Sequence, residues 1–446
     1  MNVNQISFQT SAKQLPNLDQ LRWSRPEPVR EHRGIFSKDR DRILYSKSFL
    51  RLRGKTQVFM LQYNDYIRTR LTHTLEVNQI AKSIAIALGQ NAELTEAIAL
   101  GHDVGHTPFG HIGERTLCDL IMNEATIPND KKGFKHNLQA LRLLCDLEKG
   151  ADYPEVSGLN LTKYVLWGIA HHSSIKQIIE RDDQGNVINA DVIKTAHPIY
   201  DHYLNAIKNY WSFEALIVAL ADEIAQRHHD IEDSLSYGVV KRKTIVERIE
   251  QFESLFSADD KKTFKKLKEG IDTLDAPVFS SVFSRLVVNL YVVQTIKQSK
   301  KNFKALGHKY EIYKQEHYWQ KRNLITEEDY RSVIAFPQRM KELDESFQDF
   351  LKDSVLTSYQ AQTMDGKGAY IIRKLYQAFK SNPCQLPDTA LRSFFQFVGE
   401  DFQRAKTNEI VAGNEAVLYR CIVDYIGGMT DQYAYNEYDR LYGTRF

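Results

Sequence analysis

The stretch AIALGHDVGHTPFGHIGE, residues 97–114, concentrates titratable side chains where an apolar helical pattern ends. Three histidines, an aspartate and a glutamate fall within its last thirteen residues, and Gly101 and Gly105 interrupt the helix. A polar loop at a helix end would account for the glycines but not for the imidazoles. Imidazole and carboxylate groups together bind divalent ions and transfer protons. We therefore expect a metal-dependent or acid–base site here.

Four groups along the chain follow the order His, then His-Asp, then Asp. They are His73 in RTRLTHTLEV, the pair His102 and Asp103, and Asp222 in ALADEIAQRHHD. Taken singly, each has a simpler explanation, such as a hydrogen-bonded core histidine or a paired carboxylate. In a helical bundle, however, such positions can meet around one ion and leave other coordination positions open to water. The combination predicts a divalent-metal site.

The elements that must position these groups are predicted to be helices. Apolar residues recur at intervals of three and four in segments such as 75–88 and 213–225. Only 11 prolines and 22 glycines interrupt the 446 residues. Short polar turns separate the helices, and the turn at 181–186 could hold a small hairpin. We expect a mostly α fold, a helical bundle core with a helical C-terminal portion.

The predicted organisation along the chain has three parts. An N-terminal segment covers 1–39, the helical core covers 40–240, and the helical C-terminal portion covers 241–446. The last two are not separated by any linker-like stretch, so the sequence gives no sign that they are separable.

Composition excludes several classes of protein. Lysine and arginine total 59 against 57 acids, so no overall field attracts a polyanion. The four cysteines are far apart and form no CxxC pair, which excludes a zinc ribbon and is typical of a reducing compartment. No basic and then apolar leader is visible, and no apolar run approaches the roughly 20 residues of a membrane helix. We expect a soluble, cytoplasmic protein without a membrane partner.

Several motifs resemble those of one enzyme family. RTRLTHTLEV, GHDVGHTPFGHIGE and LADEIAQRHHDIED resemble the HD superfamily of metal-dependent phosphohydrolases, and specifically its deoxynucleoside triphosphate (dNTP) triphosphohydrolase branch, typified by dGTPase. DRDRILYSKSFLRLRGKTQVF (39–59) and VDYIGGMTDQYA (423–434) also match that branch. The resemblance spans about 40–440, nearly the whole chain.

The resemblance implies both the reaction and its cofactor. It implies hydrolysis of a dNTP, with dGTP as the first candidate, to the deoxynucleoside and triphosphate. The implied cofactor is a divalent metal, Mg²⁺ or Mn²⁺, with another transition metal left open. Its implied ligands are His73, His102, Asp103 and Asp222.

Catalytic and phosphate-binding roles also follow from the resemblance. His111 and Glu114, three residues apart and so on one helical face, would activate water or transfer a proton beside the metal. Arg70 resembles the family's phosphate-binding arginine, and His136 resembles a histidine near the phosphates. His106 would lie close by. The alternatives are a helix cap for His111 and a surface histidine for His136.

The resemblance implies that Gln57 and Asp230 bind the deoxyribose. Two other positions depart from the family pattern. Gln226 stands where many relatives have a tyrosine, which puts strict 2′-deoxy selectivity in question. His171, a predicted substrate contact, stands where many have a lysine, so its phosphate contact would be weaker or pH-dependent. Asp222, Gln226, Asp230 and Asp233 are predicted to share one helical face.

Two other functions compete with this reading. One is another HD activity, hydrolysis of alarmones or cyclic nucleotides. Alarmone hydrolases carry an HDxxED pattern, and His106 and Thr107 at the corresponding positions disfavour it. The other is a nucleotide-binding or nucleic-acid-binding HD sensor, which would have lost a metal or catalytic residue, whereas this sequence has them all.

The expected partners are a dNTP substrate, a dNTP as allosteric effector, and further copies of the chain. Relatives commonly form dimer-based hexamers or tetramers, so the resemblance implies a homo-oligomer. The basic, aromatic segment 296–322 keeps single-stranded DNA open as a further partner, although such a segment is more often a solvated helix face.

Overall fold

The structure is a computed structural model. It describes residues 8–10, 21–27, 33–57, 68–149, 157–181, 184, 187–188, 192–236 and 238–443. The described chain is built from helices, which confirms the mostly α prediction. Its β-structure is limited, within those ranges, to isolated bridges. Two antiparallel bridges, Gln177 with Thr195 and Arg181 with Val187, flank the predicted hairpin turn.

The described residues contain twenty α-helices. Up to residue 236 they are α1 (Ile35–Leu44), α2 (Lys47–Arg51), α3 (Arg70–Ala87), α4 (Ala92–Gly101), α5 (Gly110–Met122), α6 (His136–Arg142), α7 (Lys163–His171), α8 (Asp201–Ile207) and α9 (Phe213–Ser236). Beyond it they are α10 (Arg242–Glu250), α11 (Ala258–Glu269), α12 (Ala276–Lys309), α13 (Gln315–Lys321), α14 (Glu327–Val333), α15 (Gln338–Leu351), α16 (Tyr359–Ser381), α17 (Asp388–Val398), α18 (Thr407–Val411), α19 (Glu415–Gly427) and α20 (Asp431–Tyr442).

The helices form two compact units, and each unit takes residues from three chain segments. Unit 1 consists of the described residues within 1–41, 73–100 and 211–362. Unit 2 consists of those within 42–72, 101–210 and 363–446. The predicted division of the sequence after residues 39 and 240 stays a prediction.

Unit 1 is organised around α9 and α12, which pack against each other. An aromatic cluster anchors one end, with the ring centroids of Phe213 and Phe303 5.1 Å apart and those of Phe8 and Phe303 5.0 Å apart. These rings bury large apolar areas, and edge-to-face and stacked pairs add a specific geometry. The apolar side of α9 is thereby fixed in the core.

The long helix α12 also has the length and apolarity of a membrane-spanning helix, with a mean hydropathy of 1.5 over 18 residues. Polar residues such as Arg285 and Asn289 interrupt its apolar run, so the sequence did not single it out. Phe283, Leu290 and Phe303 of this helix are buried. Length and composition alone describe a core helix of this kind equally well.

Unit 2 has its own apolar core, formed by residues of α5, α16, α17 and α19. Its fully buried members include Leu117, Ile372, Phe394 and Ile422. Because these helices come from distant parts of the sequence, the core ties the C-terminal residues to the region around residues 102–122.

A buried polar network lies beside that core. The Asp424 carboxylate accepts hydrogen bonds from Arg142 Nε and Gln139 Nε2, both at 2.9 Å. Arg420 Nη2 lies 3.2 Å from Asp424 Oδ1 and donates to the Tyr200 hydroxyl at 2.7 Å. Two guanidinium groups thus satisfy one buried carboxylate, which makes its burial tolerable.

The loop between α4 and α5 packs closely on α6. At Gly105 a Cβ atom would overlap the His136 carbonyl oxygen and lie 2.5 Å from the Ala140 nitrogen. The loop ends in two left-handed residues, Phe109 and Gly110, both with φ of 62°. A non-glycine residue pays roughly 1–2 kcal/mol for that conformation. The Phe109 N–H donates to Asp431 Oδ1 at 2.9 Å, which helps to hold it.

Replacing Asp424 by Asn should destabilise the protein strongly at neutral pH. Removing the charge leaves the guanidinium groups of Arg142 and Arg420 without their carboxylate partner, and breaking a buried pair typically costs about 3–5 kcal/mol. Burial alone would raise the pKa of Asp424, but Arg142 and Arg420 outweigh it and hold the pKa below its usual value. The carboxylate therefore stabilises the fold above the ordinary aspartate pKa of about 4, and this contribution is lost as the pH falls through the lower native pKa.

Calorimetric Tm values of the two proteins between pH 7 and pH 3 should accordingly converge on acidification. Asp388→Asn is the matched control. Asp388 pairs with Arg404 at the surface, where both side chains are about half exposed, so the change should be about 1 kcal/mol or less. A Tm difference for Asp424→Asn that stays constant over this pH range would contradict the assignment.

Gly105→Ala should lower the Tm markedly, because the added methyl group overlaps the α6 backbone and overpacking of this kind costs roughly 1–3 kcal/mol or more. Gly366→Ala, on an exposed position of α16 with nothing within 4 Å of the new methyl, should leave the Tm unchanged or slightly raised. Equal Tm values for the two variants would show that the loop does not approach α6 closely in solution.

Candidate active site

Unit 2 contains a buried carboxylate at the start of the loop after α4. Asp103 is 3% exposed and His102 is fully buried. Arg70 Nη1 donates to Asp103 Oδ2 at 2.9 Å. The other oxygen, Oδ1, lies 2.9 Å from His106 Nδ1 and 3.5 Å from His102 Nε2. Three cationic or potentially cationic side chains therefore surround one carboxylate.

The electrostatics of this cluster follow from burial and charge. Burial acts to raise the pKa of the Asp103 carboxyl, but His106, His102 and Arg70 outweigh it and hold that pKa well below its usual range. Burial, with the nearby Arg70 charge, holds the pKa of His106 well below its usual value. Asp103 is thus an anion and His106 a neutral imidazole, the forms in which both can act as ligands or hydrogen-bond acceptors.

A second acid–base group lies next to this carboxylate. The rings of His106 and His136 stack with centroids 3.9 Å apart, and the His111 ring lies 5.5 Å from His106. Glu114 Oε2 accepts from His136 Nδ1 at 2.6 Å. Burial would raise the pKa of Glu114, but its contacts with His111 and His136 bring the pKa far below its ordinary value. Glu114 is therefore an anion, and it accepts the hydrogen bond from His136.

The predicted pair His111 and Glu114 differs in detail from the sequence expectation. The two side chains do share one side of α5, but His111 Nδ1 lies 3.7 Å from Glu114 Oε2. His136 Nδ1 is closer to the same oxygen, at 2.6 Å. The His111 side chain is 61% exposed and the His136 side chain 8%. Glu114 thus orients buried His136 most tightly, and His111 is left accessible to a ligand.

Unit 1 contains the other two predicted ligands. His73 lies in the first turn of α3 and Asp222 in α9, and His73 Nε2 is 2.9 Å from Asp222 Oδ1. The His73 side chain is 1% exposed and that of Asp222 24%. On its other side, His73 Nδ1 lies 3.2 Å from His229 Nδ1. Glu76 Oε2 accepts from His229 Nε2 and lies 3.0 Å from His228 Nε2.

The donor atoms suit a divalent ion. Two ligand atoms about 2.1 Å from one octahedral ion are about 3.0 Å apart when adjacent. The 2.9 Å separation of His73 Nε2 and Asp222 Oδ1 in unit 1 is close to that value. In unit 2 His102 Nε2 and Asp103 Oδ1 are 3.5 Å apart, a slightly wider spacing. Each pair therefore has the spacing and the chemistry of adjacent ligands.

The two predicted sugar-binding residues each carry an oxygen that their neighbours leave unsatisfied. Gln57 Oε1 and Asp230 Oδ1 are buried and have no hydrogen-bond partner among the described residues. Burial raises the pKa of Asp230 to about 7; Arg227 opposes this shift and Asp233 adds to it. Buried unsatisfied oxygens are costly, so each is suited to accept a hydrogen bond from a ligand hydroxyl.

Other predicted residues take positions that the sequence did not foresee. Gln226 is exposed on α9. The His171 ring stacks on Trp167 with centroids 4.1 Å apart, and its Nδ1–H donates to the Trp167 carbonyl oxygen at 2.9 Å. It is the following residue, His172, whose ring lies 5.1 Å from His102 and 5.4 Å from His136.

Two residues that the sequence did not single out hold the loop between α4 and α5. The Lys55 ammonium is fully buried and donates to the carbonyl oxygens of His106 and, at 3.1 Å, of Gly427. Asp431 accepts from the N–H groups of Thr56 and Phe109, both at 2.9 Å. Burial, and next the Arg51 charge, lowers the pKa of Lys55 to about 7. The available signal was their presence in the family motifs 39–59 and 423–434.

Unit 2 also contains a cavity of about 670 Å³, with Lys47, Arg51, Tyr425 and Tyr433 in its lining. Its lining includes Asp424 of the buried network but none of the predicted site residues. The predicted catalytic and metal-binding residues lie instead in the groups around Asp103 and around His73.

Comparisons with known proteins agree with this chemistry. The HD domain family model matches residues 70–227, and that of the phosphohydrolase-associated domain matches 334–440. A deoxyguanosinetriphosphate triphosphohydrolase-like protein of Geobacter metallireducens is 33% identical over 425 residues, covering 93% of this chain and 90% of the relative. Proteins of the same name from Azoarcus sp. and Leptospira interrogans are 33% and 32% identical, covering 94% and 93% of this chain and 92% and 91% of their own lengths. The chain therefore belongs to the deoxyguanosinetriphosphate triphosphohydrolase-like family of HD phosphohydrolases.

Proposed function

We propose that this protein is a divalent-metal-dependent dNTP triphosphohydrolase, with dGTP as the first substrate to test. The observation that carries the proposal is the unit 2 cluster. An ionised, buried Asp103 contacts His106, whose ring lies beside the rings of His111 and His136. Both of these rings in turn lie near the Glu114 carboxylate. A proposed metal ligand and a proposed proton-transfer group thus belong to one cluster, and phosphate-ester hydrolysis uses both.

The proposed metal ligands are His73, His102, Asp103 and Asp222. The HD domain match covers all four, and their donor atoms suit Mg²⁺ or Mn²⁺, with another transition metal open. When bound, the ion supplies Lewis-acid polarisation of a phosphoryl oxygen and lowers the pKa of bound water.

The proposed reaction breaks the bond between the α-phosphorus and the 5′-oxygen. A water molecule attacks the α-phosphorus, its oxygen stays on the triphosphate, and the 5′-oxygen leaves as a hydroxyl after gaining a proton. His111 is proposed to move that proton, because it is the exposed member of the histidine cluster. Glu114, which accepts from His136 Nδ1 at 2.6 Å and lies 3.7 Å from His111 Nδ1, would hold the imidazoles in the required orientation.

Substrate binding is proposed to divide between charge and hydrogen bonding. Arg70, His136 and His171 would offset the charge of the triphosphate; part of the Arg70 guanidinium is already committed to Asp103. Gln57 and Asp230 would bind the deoxyribose, as their unsatisfied buried oxygens suggest. Comparing the four dNTPs with one another tests whether guanine is the selected base. Comparing dGTP with GTP tests how Gln226 affects sugar selectivity.

The remaining partner assignments stay predictions: a dNTP effector, a homo-oligomer, single-stranded DNA and a cytoplasmic location. All four cysteines are free thiols, which is typical of a reducing compartment. Within the segment 296–322, Arg322 is buried, donates to the Trp211 carbonyl oxygen at 2.7 Å and lies over the Trp211 ring. This arginine is therefore a structural residue of unit 1, which weakens the argument for a DNA contact there.

Incubation with each of the four dNTPs and with GTP, in Mg²⁺ or Mn²⁺, tests the proposal. Anion-exchange analysis at early times should detect a deoxynucleoside and intact triphosphate, because the reacting phosphorus must sit at the metal and the sugar contacts prevent sliding by one phosphate. Asp103→Ala and Asp222→Ala should lose both bound metal and turnover, whereas Asp272→Ala, at an exposed turn position, should lose neither. A monophosphate with pyrophosphate, or a diphosphate with orthophosphate, would refute the proposed reaction.

His111→Ala should lower kcat by roughly 10²- to 10⁴-fold, the usual contribution of general acid–base catalysis, while metal content and KM stay close to wild type. His308→Ala, at an exposed position near the end of α12, is the control and should behave as wild type. Loss of metal from the His111 variant would instead make this residue a ligand.

A further inference from the structure

A continuous chain of polar contacts in unit 1 leads away from the proposed metal ligand His73. Asp222 Oδ1 lies 2.9 Å from His73 Nε2, and His73 Nδ1 lies 3.2 Å from His229 Nδ1. His229 Nε2 in turn donates to Glu76 Oε2. His73 and His229 are almost fully buried, whereas the Glu76 side chain is 37% exposed. The chain therefore runs from the proposed metal ligand outward to a partly solvated carboxylate.

The number of protons fixes the direction of each hydrogen bond. A carboxylate only accepts, so the Glu76 contact places the proton of His229 on Nε2. A neutral imidazole has one N–H, so His229 Nδ1 is an acceptor. The 3.2 Å contact between the two Nδ1 atoms then requires the proton to come from His73. His73 consequently presents the lone pair of Nε2 on the side of Asp222.

That lone pair and the Asp222 carboxylate are both acceptors, and they face each other at 2.9 Å. Two acceptors at this distance repel each other, and a cation bound to both converts the repulsion into attraction. The tautomer set at Glu76 therefore prepares His73 and Asp222 for a metal ion. Carboxylates that orient a ligating histidine through hydrogen bonds typically account for 10- to 100-fold in metal affinity.

We propose that Glu76 and His229 are positioning residues that hold His73 in the tautomer whose Nε2 ligates the metal. This deepens, and rests on, the proposed function, because it concerns the same metal ligand. Neither residue touches the ion or the substrate. Glu76 acts through His229, and His229 acts through His73.

The same side chains suggest a second arrangement, which the geometry disfavours. Glu76, His228 and His229 together have the donor types of a separate metal site. If Nε2 of both His73 and His229 bound ions, each ring would carry its proton on Nδ1, and two N–H groups would confront each other at 3.2 Å. Only one of these two rings can therefore ligate through Nε2, and the acceptor at Glu76 selects His73.

The test measures Mn²⁺ affinity and stoichiometry directly, on the full-length protein without nucleotide. Glu76→Ala should weaken Mn²⁺ binding by about 10- to 100-fold. Glu76→Gln keeps an oxygen that accepts from His229 and should recover most of that loss. His228→Gln is the matched control, because His228 also contacts Glu76 but is not part of the chain that leads to the His73 ring. The Mn²⁺ affinity of this variant should equal that of the wild-type protein. The Tm of each variant should be recorded, and because Glu76 is partly exposed, Glu76→Ala should remain folded.

Wild-type affinity in Glu76→Ala, or equal losses in the Gln and Ala variants, would overturn the positioning role and leave the proposed metal centre intact. Loss of one of two bound ions in His228→Gln would overturn it in favour of a separate site. Absence of Mn²⁺ binding by the wild-type protein would instead overturn the proposed metal centre itself, and the positioning role with it.

Discussion

The buried carboxylate of Asp103 is the constraint on which the centre of unit 2 depends. A charge taken out of water is stable only if other charges and hydrogen bonds replace the lost hydration. Arg70 donates to one oxygen of the carboxylate, and nitrogen atoms of His106 and His102 lie 2.9 and 3.5 Å from the other. The tight loop after α4 follows from that requirement, because its side chains must converge on one small group. Gly105 permits the convergence by letting the loop lie directly on α6.

In unit 1 the corresponding constraint is the placement of protons along the hydrogen-bonded chain of Glu76, His229 and His73. Each neutral imidazole has one proton to donate, so a chain of imidazoles that ends on a carboxylate has only one consistent set of donors and acceptors. Glu76 fixes that set from the outer end, and the preference passes through His229 to His73. A partly exposed carboxylate can in this way determine which nitrogen of a buried histidine is available for a metal.

The C-terminal residues of unit 2 have a physical reason to accompany the HD core. The phosphohydrolase-associated match, 334–440, contains both Gly427 and Asp431. The Gly427 carbonyl oxygen shares the Lys55 ammonium with the carbonyl oxygen of His106, and Asp431 binds the backbone N–H of Phe109. The loop that carries His106 is thus held at His106 and at Phe109 by Lys55 and Asp431, which lie outside the HD match. These distant segments would therefore supply the rigid positioning that the proposed catalysis needs.

The sequence by itself determined the helical class, the order His, His-Asp, Asp and the family, because these depend on residue types and on short spacings that a helix converts directly into faces. It also contained the signal for His229, which follows Asp222 by seven residues, or two helical turns. Only the tertiary structure decided that Glu114 binds His136 more closely than His111, and that Lys55 holds the His106 carbonyl oxygen. Such partners lie 22 and 51 residues apart, and their distance is set by how helices pack, which spacing along one helix does not encode.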